Sequence, residues 1–273
     1  MADVARLEER HVARVLRNLA EEWRPFGGGG GGVMSRGAPG AWFNRAQGAG
    51  LDGPVDPHEV ERMVTFYEER GIEPRVQVCP FAHESLVRTL ADHRFVVRRF
   101  QIVMYREVSR GDAFAPVHPS PVGLRIEVVA PTDAPAIESF ARAWVEGFEV
   151  KGDDRIDETM RAARAVIASE GSIGVRAMMG DRCVGAGGLE IDGELASLFG
   201  VSVAPEMRRK GIQQALVSWR LRRAAELGAR IATIESLPGV STETNAMRMG
   251  FGVAYTKATL VRPGPGLTPV AGG

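Results

Sequence analysis

The stretch between Ser197 and Gly228 restricts the fold of this chain more than any other segment of its 273 residues. It begins with the apolar, strand-like sequence SLFGVSV and continues through APEM into three cations, Arg208 to Lys210, and then Gly211. A long helix follows, and Gly228 is its expected C-terminal glycine. The apolar face of that helix consists of Ile212, Ala215, Leu216 and Trp219. A strand that leads through a short basic loop into a long helix predicts an α/β fold.

The start of this helix has the properties of an anion-binding site. The first turn of a helix leaves N–H groups unpaired, and the helix dipole adds partial positive charge there. Gly211 has no Cβ, so a pyrophosphate can approach the backbone closely, and the cations Arg208, Arg209 and Lys210 can reach outer phosphates. We therefore interpret the loop as a phosphate cradle.

Two other interpretations of the same cations stay open. The three cations and Arg220, Arg222 and Arg223 could form the basic face of a nucleic-acid-binding helix, or they could be an ordinary solvated surface. Lys and Arg total 34 residues against 34 Asp and Glu, and no aromatic residues are interleaved with the arginines. Nucleic-acid binding usually needs a basic surface, so a solvated face is the better interpretation of the helix body.

The order of predicted elements divides the chain into two halves. A proline-containing linker over residues 111–123 separates residues 1–110 from residues 124–263, and residues 264–273 are predicted to be a frayed tail. When Phe95 is placed on Phe251, the strand at residues 75–80 falls on the strand at residues 231–236. Both halves then run helix, glycine, strand, helix, phenylalanine, strand. This order predicts an internal duplication, with chance similarity of two α/β segments as the alternative.

Three further features indicate the class of protein. Cys79 and Cys183 lie in apolar, strand-like contexts and match no metal-ligand spacing, which predicts buried thiols in a cytoplasmic protein without a metal. The N-terminal residues MADVARLEER lack the apolar core of a signal peptide, and no apolar run approaches the ~20 residues of a membrane span. The six glycines Gly27 to Gly32 precede a predicted hairpin, so we interpret them as a flexible connector.

The sequence VSVAPEMRRKGIQQALV resembles the acetyl-coenzyme-A signature of the GCN5-related N-acetyltransferases (GNATs). That signature is Arg/Gln-x-x-Gly-x-Gly/Ala after a strand, and here it reads Arg208-Arg209-Lys210-Gly211-Ile212-Gln213. The resemblance covers roughly residues 124–262 and includes the later pair Gly250-Phe251. It implies an α/β (α+β) fold with two GNAT-like domains, each a mixed, mostly antiparallel sheet flanked by helices. The N-terminal copy is degenerate, because it lacks the signature.

The resemblance also implies which residues contact acetyl-CoA, the expected cosubstrate. The strand backbone at Val201, Ser202 and Val203 would pair with the pantetheine arm. The pyrophosphate would be held by the backbone N–H groups of Arg209, Lys210, Gly211, Ile212, Gln213 and Gln214. Asn245 would contact the coenzyme as well, with a local helix cap as an equal alternative. The expected partner is a small-molecule or peptide amine, with no nucleic acid or membrane, in a monomer or homodimer.

The chain departs from the GNAT pattern at three positions. Gln213 replaces the last small residue of the signature, which we expect the coenzyme to tolerate. Ala246 stands where many members have a tyrosine acid, and Ser197 stands near where some have a glutamate base. Tyr255 is then the candidate acid, with a packed strand aromatic as the alternative. Glu235 is the candidate base, with a polar strand-end residue as the alternative.

The predicted activity is transfer of an acetyl group from acetyl-CoA to an amine by direct attack in a ternary complex. The empty acid and base positions favour the alternative of a non-catalytic acyl-CoA-binding or regulatory module. The acidic stretch between residues 127 and 158 has two interpretations. It could be a rim that attracts a cationic amine or an ordinary solvated surface.

Overall fold

The computed structural model describes residues 1–28, 30–34 and 40–269. In chain order the elements are α1 (Ala2–Leu19), β1 (Glu22–Phe26), β2 (Gly30–Met34), β3 (Arg45–Gln47), α2 (Pro57–Glu68), β4 (Arg75–Val78), α3 (Glu84–Asp92), β5 (Val96–Glu107), β6 (Leu124–Val129), α4 (Ala134–Gly147), α5 (Asp153–Ala168), β7 (Ser172–Met179), β8 (Arg182–Asp192), β9 (Leu195–Val203), α6 (Ile212–Glu226), β10 (Ile231–Ser236), α7 (Ser241–Arg248) and β11 (Gly252–Val261).

The backbone forms two compact units. Unit 1 consists of Met1–Val103 with Val253–Gly273, and unit 2 consists of Met104–Gly252. These bounds differ from the division predicted at residues 111–123, because the last strand, β11, pairs antiparallel with β4 and so joins unit 1. Within the predicted tail, Thr268 exchanges backbone hydrogen bonds with Gly71 and Glu73, and residues 270–273 lie outside the described residues.

Each unit has a mixed sheet flanked by helices, which confirms the predicted fold class. The strand order in unit 1 is β1-β2-β3-β4-β11-β5, with β5 belonging to unit 1 as far as Val103, and in unit 2 it is β10-β9-β8-β7-β6. In both units one parallel pair is joined by a crossover helix, β3-α2-β4 in unit 1 and β9-α6-β10 in unit 2. The predicted alignment of residues 75–80 on residues 231–236 therefore matches the second strand of each crossover.

Local sequence signals account for several element boundaries. Asp56 accepts a hydrogen bond from the N–H of His58 at 2.9 Å and begins α2, with Pro57 at the first helical position. Asp133 begins α4 in the same way, with the N–H of Ala136 at 3.0 Å. The residues after Ile191 include the turn pair Asp192-Gly193, which joins β8 to β9, and Gly193 has a φ of 58°. These boundaries follow from interactions within a few residues.

The prediction that the glycine run is a connector is wrong for Gly30 to Gly32, whereas Gly27 and Gly28 form the turn between β1 and β2. Gly30 to Gly32 form most of β2 and pair with β1 in the register Phe26↔Gly30 to Arg24↔Gly32. A Cβ on Gly31 would overlap the indole of Trp23, and one on Gly30 would overlap the backbone near Ala49. The run therefore provides a strand thin enough for neighbouring groups to pack against its backbone. Gly29 lies outside the described residues.

Both cysteines are free thiols in shielded positions. Burial raises the pKa of Cys79 to about 11, and burial also raises the pKa of the half-buried Cys183. Because only the thiolate is nucleophilic, we expect both to react slowly with 5,5′-dithiobis(2-nitrobenzoic acid) at pH 8 in the native protein and rapidly in urea. Rapid reaction of both thiols without urea would contradict this burial.

Candidate functional site

The two parallel strands of unit 2 separate part of the way along their length. β9 and β10 pair from Leu195↔Ile231 to Leu198↔Ile234, and both strands continue beyond the last pair. On its other side, the continuing part of β9 remains paired with β8 as far as Val203↔Gly185. In the described residues, the β10-facing backbone edge of Phe199–Val203 thus has no ladder with β10. An open strand edge inside a sheet can pair with an extended ligand chain.

A β-bulge lies at the point of separation. The register between β8 and β9 shifts between Ala186↔Ser202 and Gly188↔Phe199, and within this interval Gly200 has a φ of 59°. A Cβ at Gly200 would overlap the Trp144 indole, so both the backbone angle and the packing require glycine. A bulge bends its strand and redirects the peptide groups. The bend occurs next to Val201, Ser202 and Val203, the residues that the GNAT resemblance assigns to the pantetheine arm.

The loop between β9 and α6 presents a row of backbone donors. Arg209 and Gly211 have φ values of 61° and 79°, and α6 begins at Ile212. Within the described part of the chain, the N–H groups of residues 209–214 have no hydrogen-bond acceptor. Unpaired N–H groups at the start of a 15-residue helix can bind an anion, since the helix dipole acts in the same direction.

The three cations of the loop have different surroundings. Arg208 bonds to Glu149 and to the Gly147 carbonyl, both at 2.8 Å, so it fixes the loop to the end of α4. Arg209 and Lys210 are exposed beside the row of N–H groups. Of the three cations predicted to reach phosphates, Arg209 and Lys210 are thus accessible to a ligand. Arg208 instead holds the loop against α4.

Gly211 contacts the chain itself. A Cβ on Gly211 would lie 2.7 Å from the carbonyl oxygen of Pro119, which belongs to the predicted linker. The linker continues along α6, where the His118 N–H donates to Gln214 Oε1 at 3.0 Å and the Ser218 hydroxyl donates to the Phe114 carbonyl. The need for glycine at position 211 therefore comes from its positive φ and from Pro119.

Gln213, Gln214 and Asn245 join α6 to α7. Gln213 Nε2 donates to Thr242 Oγ1 at 3.0 Å, and Gln214 Nε2 donates to Asn245 Oδ1 at 3.1 Å. Asn245 Nδ2 in turn donates to Gln213 Oε1. The Gln213 side chain points toward α7, and Asn245 does not cap its own helix, which begins after Val240 without a side-chain cap.

The two candidate catalytic residues lie in different units. Glu235 follows Ile234, the last paired residue of β10, and is half-buried where the strands separate. Tyr255 lies in β11 of unit 1, where its buried hydroxyl donates to Glu9 Oε1 at 2.7 Å. Glu235 thus lies next to the separated strands of unit 2, and Tyr255 belongs to the sheet of unit 1.

Two buried charged residues near the strand separation were not found by sequence reasoning. Glu190 pairs with Ser197 across β8 and β9, which places its buried carboxylate on the same sheet face as Ser197. Arg220 was predicted to be solvated but is fully buried, so that prediction is wrong. A signal was present in the sequence GAGG at residues 185–188, because Gly187 provides the space for the Arg220 guanidinium.

Arginines neutralise much of the acidic stretch considered as an amine-attracting rim. Glu146 pairs with Arg182 at 2.7 Å and Glu149 with Arg208 at 2.8 Å. Glu138 pairs with Arg142 and Arg164, at 2.8 and 2.6 Å, and the Arg164 hydrogen bond lowers its pKa. These pairs favour the interpretation of the stretch as an ordinary surface.

Residues 135–251, which lie in unit 2, match the Acetyltransferase (GNAT) family. Within them, the parallel strands β9 and β10 separate beside the acceptor-free N–H groups at the start of α6. These residues thus form a GNAT domain, which confirms the resemblance predicted from the signature.

Solved structures show this fold over more of the chain. A GCN5-related N-acetyltransferase from Kribbella flavida has a TM-score of 0.66 at 19% identity, and the alignment covers 94% of this chain and 96% of that one. A tandem GNAT protein from the clavulanic acid biosynthesis pathway has a TM-score of 0.55 at 13% identity, over 76% and 67% of the two chains. At such identities the likeness concerns the fold alone, and it shows that the N-terminal region is GNAT-like too. No curated protein matches the sequence.

Two kinds of feature are absent from residues 1–28, 30–34 and 40–269. No helix in this part is both long and apolar enough to cross a membrane. No group of three or more His, Cys, Asp or Glu side chains in it is arranged to hold a metal ion.

Proposed function

We propose that unit 2 binds acetyl-CoA and transfers its acetyl group to an amine of a small molecule or peptide. The observation that carries the proposal is the separation of β9 from β10 beside the acceptor-free N–H groups of residues 209–214. The pantetheine arm would pair with the backbone of Val201, Ser202 and Val203, and the pyrophosphate would accept from the loop. Lys210 and Arg209 would add charge to that site. The GNAT family match supports this assignment.

The reaction requires little beyond correct positioning. The amine nitrogen attacks the thioester carbonyl carbon, a C–N bond forms, and the C–S bond breaks as coenzyme A leaves as a thiolate. The amine loses one proton, and the thiolate gains one. We propose Glu235 as the base, directly or through a water, because it lies where the strands separate. The buried carboxylate of Glu190 is a second candidate. Tyr255 is less favoured as the acid, since its hydroxyl proton is donated to Glu9.

Unit 1 is not proposed to bind the coenzyme. Its crossover helix, α2, begins with Asp56, whose carboxylate accepts from the N–H of His58. A carboxylate at a helix start uses the same N–H groups and the same dipole as a phosphate would. The contrast between this capped start and the acceptor-free start of α6 supports coenzyme binding by unit 2.

Charge reversal in the loop tests the binding proposal. We expect Lys210→Glu to weaken acetyl-CoA binding by at least ~10-fold in isothermal titration calorimetry, because it puts a negative charge beside the pyrophosphate site. Arg222→Glu makes the same charge change at an exposed residue of α6 and should leave the affinity within ~2-fold. Equal weakening by both variants would show a general charge effect and contradict the loop assignment.

The second candidate function is a non-catalytic acyl-CoA-binding or regulatory module. It is favoured by Ala246, which stands where many GNAT sequences have a tyrosine acid, and by Ser197, which stands near where some have a glutamate base. A spectrophotometric assay of coenzyme A release over a broad panel of amines separates the two. Binding of acetyl-CoA without amine-dependent release would support the module, and release that depends on an amine would support the enzyme.

A further inference from the structure

Arg220 is a fully buried cation beneath the bulge of β9. It has no exposed surface, although it lies on the same helix as the exposed Arg222. Its Nη1 donates to the carbonyl oxygens of Gly188 at 2.8 Å and Phe199 at 3.1 Å, and its Nε donates to Leu216 at 3.1 Å. The guanidinium thus connects α6 to both strands that form the bulge.

No carboxylate balances this charge in the described residues. The acceptors of Arg220 are three backbone carbonyl groups, and Nη2 has no hydrogen-bond partner there. Burial lowers the pKa of its guanidinium to about 9. A Cβ on Gly187 would lie 3.0 Å from Arg220 Cζ, so the adjacent strand accommodates the cation only through a glycine. A buried charge without a counter-charge is unfavourable, and an apolar side chain of similar size would be less so.

The Arg220 guanidinium contacts the part of β9 where the proposed reaction would take place. Phe199 is the first residue of β9 beyond the last pair with β10, and Gly200 follows it in the bulge. Because the peptide bond between them is trans, its N–H points away from the carbonyl that Arg220 holds. A cation that donates to a carbonyl polarises the whole peptide group and strengthens the N–H on its other side as a donor.

We propose that Arg220 is a positioning residue for acyl transfer, which holds and polarises the Phe199–Gly200 peptide at the bulge. The inference rests on the proposed function of unit 2. Attack by the amine moves the π electrons of the thioester C=O bond onto oxygen, which becomes an oxyanion. That electron pair re-forms the C=O bond when the C–S bond breaks, and the negative charge leaves on the thiolate sulfur. The bulge peptides, with the Arg220 cation behind them, stabilise that oxygen more strongly than they stabilise the ground-state carbonyl.

The test uses acetyl-CoA labelled with carbon-13 at the carbonyl, bound to the full chain and measured by difference infrared spectroscopy. We expect the labelled C=O band to lie at lower frequency in the wild type than in buffer, and to return toward the buffer value in Arg220→Met. Arg222→Met removes the same charge from an exposed position of the same helix and should keep the wild-type band. Arg220→Lys keeps the cation and can donate to one carbonyl, so we expect an intermediate band.

Kinetics and binding distinguish positioning from a purely structural role. With the amine that gives the fastest coenzyme A release, we expect Arg220→Met to lower kcat by ~10²-fold and Arg220→Lys to recover part of it. Calorimetric affinity for acetyl-CoA should stay within ~3-fold, since the loop donors are unchanged. If Arg220→Met does not fold, the proposal is tested on Arg220→Lys alone, through its labelled C=O band and its kcat.

The proposal would be overturned if the labelled C=O band of the folded Arg220 variants stayed at the wild-type frequency. A kcat of these variants equal to that of the wild type would overturn it as well. The same holds if affinity and kcat fall together in Arg220→Lys. Failure of the wild type to bind acetyl-CoA would be a different result, because it would remove the proposed function of unit 2 and this inference with it.

Discussion

Replacing Lys257 with methionine is expected to lower the free energy of unfolding by about 3–5 kcal/mol. Lys257 Nζ lies 3.4 Å from Glu9 Oε1, and neither side chain has any exposed surface. Removing the cation leaves a buried carboxylate that is held by neutral donors, namely the Tyr255 hydroxyl and the Gln47 amide. Urea unfolding followed by circular dichroism measures the loss.

A double variant separates the missing charge from the missing contacts. Adding Glu9→Gln to Lys257→Met removes the unpaired charge, so we expect it to recover more than half of the lost stability. The control is the exposed pair Arg88 and Glu84 on α3, whose atoms are 2.8 Å apart. Arg88→Met should cost less than ~1 kcal/mol. A Lys257→Met effect as small as that of Arg88→Met would contradict the importance of the buried pair.

Gly200→Ala is expected to have the largest combined effect on stability and activity. A non-glycine residue at a φ of 59° costs about 1–2 kcal/mol, and overlap of its Cβ with the Trp144 ring costs about 1–3 kcal/mol more. Relief of the overlap requires the bulge to shift, and a shift of ~1 Å at a reacting group can lower kcat about 10²-fold. Urea unfolding and the coenzyme A release assay measure the two effects.

A second glycine isolates the packing part of this prediction. Gly193, in the turn between β8 and β9, has a φ of 58°, but a Cβ there would meet nothing within 4 Å. Gly193→Ala should therefore show only the backbone cost and keep the wild-type rate of release. If both alanine variants lose the same stability and activity, the contact between Gly200 and Trp144 has no special role.

Sequence reasoning identified the parts of the site that depend on neighbouring residues in the chain. The order of strand, basic loop, glycine and helix located the row of N–H groups at residues 209–214, because helix starts expose such donors in any context. The caps Asp56 and Asp133 and the turn Asp192-Gly193 are likewise local features, because each acts within two or three residues. The alignment of the two halves was visible because it uses the order of elements alone.

Other features depend on groups that are distant in sequence. Arg220 is buried because carbonyl groups on β8 and β9 accept its hydrogen bonds and because Gly187, 33 residues away in the sequence, leaves space for it. The residue pattern of α6 contains no information about these distant groups. Gly211 is required partly by Pro119, which reaches it from the linker. Tyr255 looked like a residue of the C-terminal half, but β11 pairs with β4, and its hydroxyl contacts Glu9.

The position and composition of the loop before α6 can be read from the sequence, because backbone geometry acts over short distances there and glycine, proline and capping side chains affect their neighbours. The resemblance to the GNAT family rests on the short signature in the same loop. By contrast, only the folded chain shows which charges are buried, which glycines make room for other groups, and which unit the last strand joins. Those outcomes depend on packing between segments far apart in the chain, and in a closely packed interior the available space is set by all of them together.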